Sequence, residues 1–333
     1  MTIEINVLGS PGRDNALWLK VDSGQRVSRL LFDCGYGCVD ELTPGEVART
    51  DGLFFSHFHM DHVGGFDSFF RCNFNRPEGV VSVWGPPGTT EILHHRFRGY
   101  WWNLIDGSPG EWIVRDVHDN EVTASRFVAS DGFERREPLP DERADGPLVA
   151  NDDYTIEAIR LDHGGPSLGY VVRECERVNV DTGRLKDLGL RPGPWLQALK
   201  SEAGDDAIEI DGVTQSLSKL REALLVVTPG QSVAYLTDFK LDEKEQARLA
   251  EWLSPCGTLV CEAQYRHEDV ALAEKNHHTT VLLVAALAAA AGVDRLVLQH
   301  LSDRYSPEEW KAMLVEAREG FPATSFPPEW GMD

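Results

Sequence analysis

The feature that most constrains this chain is a short apolar run that ends in a crowd of metal-type ligands. Gly52-Leu-Phe-Phe55 is followed by Ser56-His57-Phe58-His59-Met60-Asp61-His62, after which Gly64-Gly65 break the pattern. An apolar run of this length, closed by turn formers, reads as a buried strand. It delivers three imidazoles and a carboxylate to its C-terminal end, where α/β sheets place their sites. Histidine with aspartate is the ligand mix that suits zinc and related borderline metals. A surface loop merely rich in histidine has no need of a buried strand before it or of an aspartate in register, so a metal centre is the stronger reading.

Four ligands cannot complete two coordination shells, and later strand ends carry more of the same residue types. The segments running into His163, Asp238, Glu262 and His300 are each apolar and each finish on an imidazole or a carboxylate. Further strands are expected around 3–8, 16–21, 30–32 and 80–84, with helical spacing over 89–104. The run of Val, Leu and Ala over 281–291, preceded by Thr279 and Thr280 and followed by Gly292, predicts a capped helix. Strands alternating with helices predict an α/β fold, an αββα four-layer sandwich in one domain over 1–333. The polar stretch 115–153, with three prolines, is expected to be an excursion or β-rich insertion outside the core.

Lys and Arg number 32 against 54 Asp and Glu, a formal net charge of −22. That weakens a nucleic-acid reading, since phosphate backbones favour basic surface. Divalent metals in a carboxylate-rich cleft can nevertheless reverse the sign where a substrate sits. The N-terminal residues lack a secretory pattern and no apolar run approaches the ~18 residues of a membrane span, so a cytoplasmic protein without membrane contact is expected. The six cysteines then read as reduced, mostly buried thiols.

The motifs together resemble ribonuclease Z of the metallo-β-lactamase superfamily. They are His57-x-His59-x-Asp61-His62, Leu161-Asp-His163-Gly-Gly-Pro-Ser-Leu-Gly-Tyr170, Tyr235-Leu-Thr-Asp238, Cys261-Glu262-Ala263, His278-Thr-Thr280 and Leu298-Gln-His300-Leu-Ser-Asp-Arg-Tyr305. Leu8-Gly-Ser-Pro-Gly12, Phe32-Asp33-Cys-Gly-Tyr-Gly37, Trp84-Gly-Pro-Pro-Gly88 and Leu188-Gly-Leu-Arg-Pro-Gly-Pro-Trp195 extend the likeness over nearly the whole chain. The resemblance implies two divalent ions, zinc first and manganese or iron as alternatives, roughly 3.5–4 Å apart. His57, His59 and His163 would hold one, Asp61, His62 and His300 the other, with Asp238 bridging. It also implies catalytic roles for Glu262 and His278 as a proton-donating pair and for Asp61 in orienting the attacking water. Asp33 would support a ligand histidine, or else be a turn residue.

The implied activity is phosphodiester cleavage, in its most specific form 3′ processing of precursor transfer RNA. The family's members are often homodimers, and they commonly insert a long basic arm, rich in Gly and Pro, after the Gly-Tyr strand. Here the sequence after Gly169-Tyr170 reads on without one. That and the charge keep open a hydrolase of small substrates, such as cyclic nucleotides, lactones or β-lactams, that does not process transfer RNA. A non-catalytic RNA binder with structural metals is the third reading, and the intact ligand set speaks against it.

Overall fold

A strand apolar at every position must bury both of its faces, and here the two faces go to different layers. The computed structural model describes residues 2–143, 145–200 and 206–332. An eight-stranded sheet follows chain order: β1 (Thr2–Leu8), β2 (Ala16–Asp22), β3 (Val27–Phe32), β4 (Gly52–Phe54), β5 (Val81–Gly85), β6 (Glu111–Val117), β7 (Glu121–Val128) and β8 (Glu137–Arg143). In β4, Leu53 packs outward against Phe66, Phe69 and Leu93, while Phe54 faces inward. Its ring stacks on Phe32 with centroids 4.9 Å apart and meets Tyr170 edge-on at 5.6 Å.

A second sheet supplies the opposite wall. It begins with β9 (Val149–Ala150), β10 (Tyr154–Asp162) and β11 (Pro166–Glu174). The chain then forms β12 (Arg177–Val180), β13 (Ala207–Ile210), β14 (Val213–Ser216) and β15 (Leu225–Thr228) before returning as β16 (Ser232–Leu236), β17 (Thr258–Glu262), β18 (Arg295–Gln299) and β19 (Thr324–Ser325). The second sheet has the order β19-β18-β17-β16-β11-β10-β9. Val233 and Tyr235, Val260 and Val297 point to the interior between sheets; Ala234, Leu236, Leu259, Cys261, Leu296 and Leu298 point to the helices outside. Helices Glu243–Leu253, Val281–Ala291 and Pro307–Gly320 cover that face, and Phe66–Asn73 with Thr89–Phe97 cover the other sheet. This is the αββα sandwich expected from the sequence. Among the described residues no helix is long and apolar enough to cross a membrane.

Two segments differ from expectation. The polar stretch 115–153 contributes β7, β8 and the end of β6 to the first sheet. Both faces of β7 carry buried residues: Val122 joins the core between the sheets and Phe127 the core under the helices, while Arg126, on the face of Val122, pairs with Glu111 and Glu137. Asp116 is buried for a local reason, since it accepts from the backbone of Gly88 at 2.7 Å and of Thr90 at 3.2 Å, at the start of the helix Thr89–Phe97. That helix stops at Phe97, short of the expected 104. Charged β8 is the edge strand, where charge blocks further pairing.

The second difference follows Gly169-Tyr170. The chain does not run on into the sheet; Glu174–Gly230 is a separate compact unit, and Met1–Arg173 with Gln231–Asp333 form the other. Within it, β12 pairs with β15 and β13 with β14. Leu185, Leu199, Ile210, Leu217, Leu220 and Leu224 make its core. Its ten acidic and seven basic residues do not make it basic.

Trp112 tests the packing of the outer layer. Its ring is fully buried against Phe66, Phe69, Phe70 and Phe97, yet among the described residues its indole N–H has no partner. Trp112→Ala is expected to cost about 3–5 kcal/mol in urea unfolding. Trp112→Phe, which removes the orphaned donor, should cost less than about 1.5 kcal/mol.

Candidate metal centre

Parallel pairing brings the chemistry to one end of the sandwich. β3, β4 and β5 run parallel in one sheet and β16, β17 and β18 in the other. Asp33 follows β3, His57 comes just after β4, Asp238 follows β16, Glu262 ends β17 and His300 follows β18. His163 follows β10. Asp33, Asp238, His277 and His300 all take the left-handed backbone conformation, with φ of 60°, 50°, 57° and 53°. Each such non-glycine residue costs on the order of 1 kcal/mol, a strain kept where it turns a side chain inward.

Asp33 organises the imidazoles. Its carboxylate, fully buried, accepts from the Ser56 backbone N–H at 2.7 Å, the Ser56 hydroxyl at 2.7 Å, His62 Nδ1 at 2.8 Å and the Tyr235 hydroxyl at 2.9 Å. Those bonds decide tautomers. His62 donates Nδ1–H to Asp33 and turns Nε2 toward the cluster. Ser56 spends its single hydroxyl proton on Asp33, so at 3.0 Å its oxygen accepts from His57 Nδ1, and His57 Nε2 is a bare lone pair. His163 donates Nδ1–H to the His277 carbonyl at 2.8 Å and turns Nε2 the same way. Such outer partners fix ring orientation in metal sites. Burial and the neighbouring His62 push the pKa of His57 down to about 2, so it is neutral. Burial opposes charge on His62 as well, but Asp238 and Asp33 outweigh it and raise its pKa.

The donor atoms fall into two overlapping groups, His57, His59, His163 and Asp238, and Asp61, His62, Asp238 and His300, with each group's donors within 4.8 Å of one another. Asp238 Oδ2 lies 3.6 Å from both His57 Nε2 and His163 Nε2, and its Oδ1 lies 3.3 Å from His62 Nε2 and 3.6 Å from His300 Nε2. His163 Nε2 and His59 Nδ1 are 3.2 Å apart, as are His300 Nε2 and Asp61 Oδ2. Donors about 2.0–2.2 Å from one tetrahedral ion stand about 3.3–3.6 Å from each other. Among the described residues the buried Nε2 atoms of His57 and His62 have no hydrogen-bond partner. Donor chemistry, spacing and these unpaired nitrogens all fit divalent cations.

Beside the second group stands the Glu262–His278 pair. Glu262 is fully buried, accepts from the Phe239 backbone N–H at 2.7 Å through one oxygen, and takes His278 Nδ1–H at 3.0 Å on the other. His278 Nε2 faces Asp238 at 3.9 Å. Burial pulls the His278 pKa down, but Glu262 and then Asp238 outweigh it and lift the pKa to about 9. These carboxylates therefore favour the protonated form of His278.

All seven candidate ligands, Asp61 among them, are brought together with Glu262 and His278. Other histidines are not: His94 packs on Phe127 and bonds to the Phe133 carbonyl, and His267 bonds to Thr280. Arg96, Arg135 and Arg184 pair with Asp67, Asp131 and Asp181. Sequence reading missed Ser56, Tyr235 and the His277 carbonyl as orienting groups. Only Ser56 carried a signal, its place directly before His57.

Asp33→Ala removes the acceptor for four donors and leaves the imidazoles free to rotate. The variant is expected to retain less than about a tenth of the wild-type bound metal after desalting, read by elemental analysis. In the wild type, added chelator should lower the thermal midpoint and restored zinc should raise it, by about 2.7 kcal/mol of stabilisation at a hundredfold excess over Kd.

Comparison with known proteins identifies the family. The model of the β-lactamase superfamily domain matches residues 28–178. The chain is 48% identical over 324 residues to ribonuclease Z of Deinococcus radiodurans, covering 97% of both chains. It is 30% identical over 312 residues to ribonuclease Z of Geobacillus kaustophilus, covering 91% of this chain and 87% of that one. Among solved structures, the metallo-β-lactamase fold protein YhfI of Bacillus subtilis superposes with a TM-score of 0.57 at 14% identity, covering 97% of this chain and 95% of that one. At the sequence identities found over its full length, and with this fold, the chain belongs to the ribonuclease Z family of the metallo-β-lactamase superfamily.

Proposed function

We propose that this protein is a binuclear, metal-dependent endoribonuclease of ribonuclease Z type, acting in the cytoplasm on the 3′ end of precursor transfer RNA. The observation that carries this reading is Asp238, whose two carboxylate oxygens face two separate donor groups while His278 Nε2 stands beside them. His57, His59 and His163 would hold one ion and Asp61, His62 and His300 the other, with zinc the first metal to test. Bound divalent ions supply Lewis acidity that makes water acidic and neutralises phosphate charge.

The side chains do the rest. Asp61 leans one carboxylate oxygen on His300 and His62 and leaves its side chain 42% exposed, so it can orient the attacking water from the open side. His278 holds its proton on Nε2, aimed at the cluster, and Glu262 stabilises that charge from the far side of the ring. The departing 3′ oxygen takes this proton, and the buried Glu262 keeps the ring oriented for reprotonation. A strongly basic arm is no part of this reading, since the inserted unit carries more acid than base. Grip on RNA then comes from the site itself and from local surface.

The first measurement is cleavage of a 3′-extended precursor transfer RNA and of a small aryl phosphodiester by the metal-loaded protein. Both should be cut, and His59→Ala should cut neither. Cutting of the aryl diester alone would replace the RNA reading with a small phosphodiesterase. A second comparison isolates the acid: His278→Ala should lose ~10²–10⁴-fold in kcat on RNA while keeping its metal. On an aryl diester, whose leaving group needs no proton, the loss should be about tenfold or less. Equal losses on both substrates would remove His278 from the proton-donor role.

A further inference from the structure

We propose that Tyr36 and Met60 form an apolar platform on which a nucleobase next to the scissile phosphodiester stacks. The proposal rests on the ribonuclease reading above and names how RNA is seated at that site. Tyr36 is 81% exposed and Met60 85% exposed, an unusual state for large apolar side chains. Met60 lies between His59 and Asp61 and therefore on the rim of the donor cluster.

Tyr36 reaches the same rim through close backbone packing. The Cys34 N–H donates to the His62 carbonyl at 2.8 Å, and the Gly65 N–H returns a bond to the Cys34 carbonyl at 2.8 Å. A Cβ on Gly35 would stand 2.6 Å from the Asp61 carbonyl oxygen, so only glycine lets the loop lie this close to the ligand turn. Gly64 sits one helical turn after Met60 and hence on its face. A Cβ there would be 2.8 Å from the Met60 carbonyl and 3.3 Å from Tyr36 Cβ, so Tyr36 is seated against the short helical turn that Met60 begins. The Tyr36 N–H donates to Asp14 Oδ2 at 2.9 Å, which holds the loop in place. Two large, exposed side chains therefore stand on backbone packed against the turn that carries Asp61.

The chemistry favours a base as occupant. With a net charge of −22 the chain draws little affinity from counterion release. Stacking on an aromatic ring works without basic charge, tolerates any sequence, and is worth roughly tenfold in affinity per base. A methionine sulfur beside the ring adds a soft contact that adapts to purine or pyrimidine. Exposed apolar surface adjoining a site is what such a contact needs in the free protein.

The test uses the metal-loaded full chain and two RNAs: one cut by the wild type at a single mapped linkage, and the same RNA made abasic at the two nucleotides flanking that linkage. Tyr36→Ala is expected to raise KM about tenfold on the intact RNA with a smaller change in kcat, and to change KM on the abasic RNA less than about twofold. Tyr36→Trp should keep the wild-type KM, and Met60→Ala should show a weaker form of the alanine effect. Equal effects of Tyr36→Ala on both RNAs would overturn the platform while leaving the ribonuclease reading intact. A change in oligomeric state without a change in KM would also overturn it, in favour of a protein contact. If the wild type cuts neither RNA, the ribonuclease reading fails and takes the platform with it.

Discussion

One buried carboxylate holds this structure to its purpose. Asp33 has no exposed surface, and a carboxylate taken out of water is tolerated only when its oxygens are filled. Here Ser56 fills them twice, and His62 and Tyr235 once each. The donors come from different places: the end of one strand, the helical turn after it, and a strand of the opposite sheet. Satisfying one charge therefore ties both walls of the sandwich to the ligand loop. It also sets which nitrogen of His57 and His62 faces the cluster, so the charge that anchors the fold and the chemistry of the site are one network. A network of this kind is rigid when complete and worse than an apolar core when incomplete.

The rest of the fold serves to bring strand ends to that network. Central strands are apolar on both faces, so they are gripped by the inter-sheet aromatic core on one side and by helices on the other. Their polar residues can then collect at one end without loosening the interior. Left-handed turns at Asp238 and His300 swing their side chains back over the sheet edges, and the left-handed turn at His277 lies where its carbonyl takes up His163. Asp238 ends up shared by both donor groups and faces His278 as well, so its position couples ligands drawn from the two sheets.

An acidic chain in a family of RNA enzymes poses a physical question. Long-range attraction for a polyanion is weak when acids outnumber bases by this margin. Short-range contacts must then carry what charge does not. The inserted unit Glu174–Gly230, with its own small leucine core, adds surface but no strong positive field.

Sequence alone determined the elements whose signals are local. The buried strand before His57, the ligand types at His163, Asp238 and His300, and the layered α/β class were legible, because strand periodicity and ligand chemistry sit in neighbouring residues; the pairing of Glu262 with His278 came from the family resemblance alone. The helix over 281–291 was likewise legible from neighbouring residues, down to Gly292, which ends it at φ 65°. What only the tertiary structure decided lies in contacts between residues far apart in the chain. Nothing near Tyr235 says that its hydroxyl will reach Asp33, and no side chain announces that the His277 carbonyl will orient His163. The strands within 115–153 were hidden because buried residues on both faces of β7, Val122 and Phe127, stand among charged ones such as Arg126 and Glu137, so no clean alternation shows. The break after β11 was hidden too, because a chain leaving a sheet for a small unit of its own changes partners without changing its local pattern. Periodicity reports how a segment meets its own neighbours; which distant groups will satisfy a buried charge is settled only when the sheets close on each other.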